Sequence, residues 1–283
     1  MKNESWQSTL GILRSLVIYW RPGRQRGLRR LYRPFLSEGA LVFDIGAHLG
    51  DRTRAFSNLG ARVVSLEPQP HLFRWLRRLV GARPGVVLRP EAVGQHAGDA
   101  TLAVSLRTPT VSTLSSHWQT GLGNYNPSFR TVSWEDFVRV RVVTLDQLIA
   151  EHGMPDFCKI DVEGFEAEVI AGLSEPLPAL SLEFVNGALD IARQAVLRLT
   201  SLGTYEFNAV QGERRHFLFP DWLSAPALLA WLNEGADALP SGDIYARLVV
   251  PQADKVSEAG ASAEPIIDVG GTGGSKPAKG MPL

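Results

Sequence analysis

A chain of 283 residues suits one large domain with tails, or at most two small domains. Its 45% hydrophobic and 20% charged residues are those of a globular protein with a sizeable core, which excludes a wholly disordered or fibrous chain. Twenty-nine basic and 29 acidic residues cancel, so no overall field draws in nucleic acid.

The predicted elements begin with a basic segment, residues 1–36, which holds seven arginines from Arg14 to Arg33 and one acid, Glu4. Trp6, Leu10, Leu13 and Val17 recur at helical spacing and predict a short amphipathic helix. It reads either as a cap on the domain with its arginines in water, or as a weak contact with a membrane surface or anionic partner. The apolar run Leu16–Trp20 is bounded by Arg14 and Arg21, far short of the roughly 20 residues of a membrane span. Trp20-Arg21-Pro22 is no signal-peptide cleavage site. The single cysteine, Cys158, permits no intrachain disulfide. The expected location is cytoplasmic.

From residue 37 to 252 strand and helix patterns alternate. "ALVFDIG", "ARVVSLEP" and "GVVLRPEAVG" read as strands, with helices "DRTRAFSNLG" and "HLFRWLRRLV" between them. This order predicts a parallel sheet with crossover helices. Residues 107–137 interrupt it. They are rich in Ser, Thr, Gly and Asn, with Trp118, Tyr125, Phe129 and Trp134 interspersed, and read as a lid or pocket wall inserted in the domain. The pattern resumes with "VRVRVVTLDQLIAEHG", "DFCKIDVEG", "FEAEVIAGL", "ALSLEF", "LDIARQAVLRLTSLG" and "YEFNAV"; "HFLF" or "IYARLVV" supplies the last strand. Residues 253–283 read as a disordered tail. Its "DVGGTGGSK" mimics a phosphate loop, but too few residues follow for the crossover helix such a loop needs.

"LVFDIGAHLGDRT" carries the first chemical signal: a strand, a glycine turn, then a helix. Glycine there lets backbone approach a ligand. A dinucleotide fingerprint starting at Gly46 would need glycines where His48 and Asp51 stand, so an NAD enzyme is disfavoured, and no Gly-Lys-Ser/Thr follows for a P-loop. Asp44 and Asp51 flank the turn and would repel a pyrophosphate. Glu67 ends the second strand, 21 residues after Gly46, where an acid grips ribose hydroxyls. A phosphate-free, cationic nucleoside fits both features, which points to S-adenosylmethionine. Taken singly, Asp44 reads equally as a turn residue and Glu67 as a solvated acid. Their order and spacing together carry the reading.

These stretches, with "LEPQP", "EAVG", "VVTLDQL" and above all "KIDVEGFEAEVIAGL", resemble the FkbM family of S-adenosylmethionine-dependent methyltransferases from about Gly39 to Phe184. The resemblance implies an α/β, Rossmann-like class I methyltransferase fold: a mostly parallel seven-stranded sheet with helices on both faces. It also implies that Gly46, Ala47, His48 and Gly50 line the methionine moiety, supported by Asp44 and Thr53. Glu67 would take the ribose, Ala92 and Val93 would lie beside the adenine, and Asp161 would face the methyl group. His48 departs from the asparagine usual in the family, and its charge is expected to change near pH 6.5, so that affinity falls in acid.

Methyl transfer to a hydroxyl needs a general base or a metal. Asp161 and Glu163 stand two apart at a strand's carboxyl end, the ligand crevice of an open α/β sheet, where each carboxylate raises the other's pKa. Glu163 reads alternatively as a cap for the helix that follows. Glu183, ending the next strand, and His117, beside Ser112, Ser115 and Ser116, are the other base candidates. Glu166 reads as a solvent-facing helix charge, Lys159 as a strand residue satisfied at the surface, and Cys158 as a buried strand residue. Magnesium on Asp161 and Glu163 is compatible with the pattern, but no compact metal signature is present, and the metal stays unassigned.

The hydroxyls and aromatics of the insertion resemble a sugar-binding wall. Together with the family resemblance, which implies the breadth of acceptors, this gives the expected function: O-methylation of a sugar hydroxyl, in a glycan, glycolipid or glycosylated small molecule. The alternatives are an N-methyltransferase and a non-catalytic module that binds S-adenosylmethionine. The oligomeric state is left open.

Overall fold

Strand β1 (Leu41–Ile45) is buried at every position, as expected of a central strand covered on both faces. Alternate residues feed two separate cores, because successive side chains of a strand point to opposite faces. Leu41, Phe43 and Ile45 join the larger core, and Val42 joins the other. The computed structural model describes residues 11–249 except 13, 22, 107, 109, 110, 116, 117 and 119–131. His117, Tyr125, Phe129 and the tail from 253 lie outside the described residues.

The main sheet runs β10-β9-β11-β8-β7-β1-β2-β3. It comprises β1, β2 (Arg62–Leu66), β3 (Val86–Arg89), β7 (Phe157–Ile160), β8 (Ala179–Val185), β9 (Tyr205–Gln211), β10 (Leu223–Ser224) and β11 (Ser241–Leu248). The expected seven strands are present, and the two-residue β10 is added at one edge. β3, β2, β1, β7 and β8 are mutually parallel, while β11 lies antiparallel between β8 and β9. The last strand is therefore "IYARLVV"; "HFLF" forms none. The chain runs outward from β1 to β2 and β3, then returns to β1's other side as β7. This reversal opens a crevice at the carboxyl ends of β1 and β7.

One face is covered by α1 (Arg24–Tyr32) and α2 (Asp51–Ser57), through Leu28, Leu31, Tyr32 and Phe56. The opposite face receives α4 (Leu145–His152), α5 (Glu166–Ala171), α6 (Leu189–Leu202) and α7 (Ala225–Asn233). Helix α3 (Pro70–Val80) packs Leu72, Leu76 and Val80 near the glycine turn, where Ile12, Leu16 and Trp20 of the N-terminal segment meet it. The described part of that segment packs against the domain, and not all its arginines reach water. Arg24 is drawn in to pair with Asp51 at 3.1 Å and Glu213 at 2.6 Å. No helix among the described residues is long and apolar enough to cross a membrane.

The third expected strand divides at Pro90 into β3 and β4 (Ala92–Val93), since proline cannot continue a ladder. β4 leaves the main sheet and pairs with β6 (Asp136–Val143), which pairs antiparallel with β5 (Gly98–Val104), forming a second, three-stranded sheet. The insertion connects β5 to β6. Its described part returns to the domain: Thr113 bridges Ala103, and Trp118 is 2% exposed against Val185 and Ala188. A Cβ on Gly164, whose φ is 87°, would lie 2.0 Å from the Trp118 ring. Gly164→Ala should therefore cost about 1–3 kcal/mol in denaturant melts. Adding Trp118→Leu should recover part of it; an unchanged midpoint for Gly164→Ala would show that the tryptophan does not dock there.

Candidate active site

The crevice holds a cavity of about 280 Å³. Its floor is the glycine turn. Gly46 has a φ of 74°, and a Cβ there would stand 1.8 Å from the backbone oxygen of Asp161. Gly46 and Ala47 both donate their N–H to Leu66 O, at 3.0 and 2.9 Å. The next N–H, from His48, donates to Glu67 Oε2 at 2.9 Å, while Gln69 N–H donates to Oε1 at 2.9 Å. Burial pushes the Glu67 carboxyl up to about 7, against these two bonds. Each oxygen keeps a second lone pair for a ligand hydroxyl.

Beneath the turn, Asp44 is wholly buried and accepts the Thr53 hydroxyl at 2.6 Å; Thr53 in turn meets Ser65 at 3.0 Å. Burial first of all raises the Asp44 carboxyl, although Lys159 and Thr53 oppose the shift. Gly46, Ala47, His48, Glu67, Ala92, Val93 and Asp161 line the cavity. Asp44, Thr53 and Gly50 do not. Gly50, with φ 77°, gives room to Leu76 and Val80 of α3.

His48 also sits differently from expectation. It lies edge-on to Tyr19 with ring centroids 5.3 Å apart, its Nε2 is buried without a hydrogen-bond partner among the described residues, and burial lowers its pKa to about 4. The imidazole is thus neutral through the range where a change of charge was expected.

At the other end, β7 and β8 deliver acids. Lys159 is 2% exposed, not at the surface, and its Nζ donates to Asp161 Oδ2 at 2.8 Å and Gly46 O at 3.4 Å. Burial opposes the Asp161 charge, but Lys159 and then Arg52 outweigh it and hold the carboxyl below its usual range. Glu163 adopts a left-handed φ of 55° and its carbonyl accepts Thr113 Oγ1 at 2.7 Å. Glu163 does not cap the helix, whose start carries no side-chain cap; Glu166, buried rather than solvent-facing, instead ties the preceding turn by accepting Val162 N–H at 3.0 Å and Gly164 N–H at 3.1 Å. That leaves Glu163 for the cavity, which it lines together with Asp161 and Glu183.

Burial, then Asp161 and Glu166, push the Glu163 carboxyl well up; burial, then Glu163 and Asp161, do the same to Glu183. Glu183 Oε2 is buried and has no hydrogen-bond partner among the described residues. One oxygen from each of Asp161, Glu163 and Glu183 lies within 4.8 Å of the others, close enough for each charge to act on its neighbours or for the three to hold a divalent cation. Cys158 is fully buried and its thiol is pushed up by burial, so it stays a packing residue.

Among the wall residues that escaped the sequence reading are Tyr19, Arg52, Glu213 and Asp243. Asp243 stands opposite Glu183 in the β11–β8 register, which no local pattern discloses. Arg52 did leave a signal, as a cation in the first turn of a helix, where the dipole disfavours it. Of the insertion, Ser112 and Leu114 reach the cavity, whereas Trp118 and Trp134 pack into hydrophobic cluster behind it.

Comparison with known proteins adds the following. Hexuronic acid methyltransferase AglP of Haloferax volcanii is 24% identical over 195 residues, covering 67% of this chain and 74% of that protein. Among solved structures, precorrin-6y C5,15-methyltransferase from Geobacter metallireducens aligns with a TM-score of 0.42 at 15% identity, over 80% of this chain and 87% of that one. A SAM-dependent methyltransferase from Aquifex aeolicus aligns with a TM-score of 0.40 at 11% identity, over 81% and 94%. The methyltransferase FkbM domain profile matches residues 44–234. That match spans well over half of the chain, and the chain belongs to the FkbM methyltransferase family.

Proposed function

We propose that this protein transfers a methyl group from S-adenosylmethionine to a hydroxyl of a carbohydrate acceptor, in a glycan, glycolipid or glycosylated small molecule. The observation that carries the reading is the placement of Glu67 and the Asp161–Glu163–Glu183 group in one cavity. The cofactor fits the residues present. Glu67 has lone pairs left for two ribose hydroxyls, Ala92, Val93, Leu102 and Phe165 offer an apolar wall for a purine, and Ala47 and His48 border the path toward Asp161. The acidic lining suits a sulfonium. When bound, S-adenosylmethionine supplies a methyl group on a good leaving group.

The chain's own residues then have to hold the acceptor in line and take its proton. Asp161, kept ionised by Lys159, stays a permanent acceptor of hydrogen bonds. Glu163 and Glu183, raised by burial and by each other's neighbourhood, are stronger bases than an ordinary carboxylate, and either takes the proton from the acceptor hydroxyl. Carboxylates at several angles also suit the diols of a sugar. The name of the Haloferax volcanii relative supports the sugar class.

Incubation with methyl-labelled cofactor and a fractionated cell extract tests the reading, with products identified by mass spectrometry. Label in a carbohydrate methyl ether is the expected result; label confined to protein, nucleic acid or solvent would overturn the acceptor class.

The neutral His48 makes a second expectation. His48→Asn should leave the ratio of S-adenosylhomocysteine affinities at pH 5.5 and 7.5 unchanged within about twofold, by titration calorimetry. If protonation near 6.5 governed binding, the wild type would lose about tenfold at the lower pH and the variant would not.

A further inference from the structure

The charges around the cavity are lopsided: among the described lining residues eight are acidic, and only Arg52 and Lys159 are permanent cations. Such a wall suits a sulfonium and an ammonium, but S-adenosylmethionine also carries a carboxylate, which needs a cation of its own. Lys159 is already committed to Asp161 and to Gly46 O. Arg52 is not. Its Nη1 lies 3.2 Å from Asp51 Oδ2 and its Nη2 lies 3.5 Å from Glu213 Oε2, while its Nε is buried and donates to nothing among the described residues.

Both of these acids have other partners. Arg24 Nε holds Asp51 at 3.1 Å; Arg24 Nη2 and Arg215 Nη2 hold Glu213 at 2.6 and 3.0 Å. Asp243 faces the guanidinium from β11 and forms no ion pair among the described residues. An unspent buried N–H on an arginine is costly unless a ligand uses it. The edge left with spare capacity is Nε with Nη2, the pair that takes a carboxylate through two parallel N–H···O bonds.

We propose that Arg52 binds a ligand carboxylate in this cavity, and specifically the amino-acid carboxylate of S-adenosylmethionine. The assignment rests on the cofactor reading above. It also explains why a cation stands at the second position of α2, against the helix dipole.

The test uses the full chain and two nucleosides that differ in the amino-acid end: S-adenosylhomocysteine, which has it, and 5′-methylthioadenosine, which lacks it. Arg52→Gln should weaken the first by about tenfold or more in titration calorimetry, in line with the loss of a charge-assisted fork, and change the second by less than about twofold. Retained binding of 5′-methylthioadenosine also certifies the variant's fold. Should Arg52→Gln fail to fold, Arg52→Lys keeps a charge for Asp51 and Glu213 but lacks the fork, and should show the same contrast.

Unchanged S-adenosylhomocysteine affinity with a KM raised about tenfold for an acidic acceptor would keep Arg52 as a carboxylate site but move the carboxylate to the acceptor. Equal weakening of both nucleosides, or no change in either affinity or KM, overturns the proposal. Wild-type protein that binds neither nucleoside sinks the cofactor reading and this assignment with it.

Discussion

Changing Glu163 and Glu183 together to glutamine is expected to lower turnover by about 100-fold or more, the usual weight of a positioned general base, while affinity for S-adenosylhomocysteine stays within about twofold. The two carboxyls line the cavity beyond Glu67 and the glycine turn, so their loss touches the acceptor's proton and not the nucleoside. One oxygen of each lies within 4.8 Å of the other, so the charge on one shifts the titration of the other and the apparent pKa belongs to the pair. Single variants should therefore be strongly non-additive, each leaving the partner to work alone. Wild-type turnover should rise with pH through an apparent pKa above the usual carboxylate range, because the base must be unprotonated and both groups are raised. A double variant with more than half of wild-type turnover would remove both residues from the chemistry. A protein with no turnover on any sugar fraction, yet binding the nucleoside, would be the non-catalytic module instead.

The glycine-turn end of this cavity was legible because it is built locally. A glycine needed for φ > 0 and for close approach to Asp161, an apolar strand before it and an acid ending the next strand all lie within one β-α-β unit. The carboxylate end was legible only in part. Asp161, Glu163 and Glu183 end adjacent strands, and the order of strands in an α/β sheet follows general rules. Asp243 arrives on an antiparallel strand inserted from the far end of the chain, and Tyr19 on a segment that precedes the family match.

Burial was the other hidden quantity. His48 was expected to titrate near its free value because nothing in the sequence says that Tyr19 covers it. Glu166 and Lys159 were read as solvated because such residues usually are. In Lys159 the clue was present: a lysine inside "FCKI", a strand whose neighbours are all apolar, needs a buried partner, and the nearest acid on the same side is two residues on.

That pair makes the second large expectation. Lys159→Met should destabilise the protein by about 3 kcal/mol at pH 7, the lower end of the cost of breaking a buried ion pair, because Asp161 is 27% exposed and solvent screens part of its charge. The pH dependence follows from the direction of both shifts. Asp161 is held below its usual range, so its contribution is present above that range and is lost as pH falls through the folded value. Lys159 is held above its usual range by Asp161, against burial, so its contribution is present below that range and is lost only as pH rises through the folded value. At pH 7 both are in force, and the gap between wild type and variant should shrink toward pH 3. Denaturant melts of Lys159→Met, Asp161→Asn and the double variant at the two pH values measure it. The double variant should be more stable than Lys159→Met alone, since it leaves no uncompensated carboxylate. A gap that stays constant with pH would mean that Lys159 acts by packing alone, and the ionised state of Asp161 on which the acceptor end depends would need another cause.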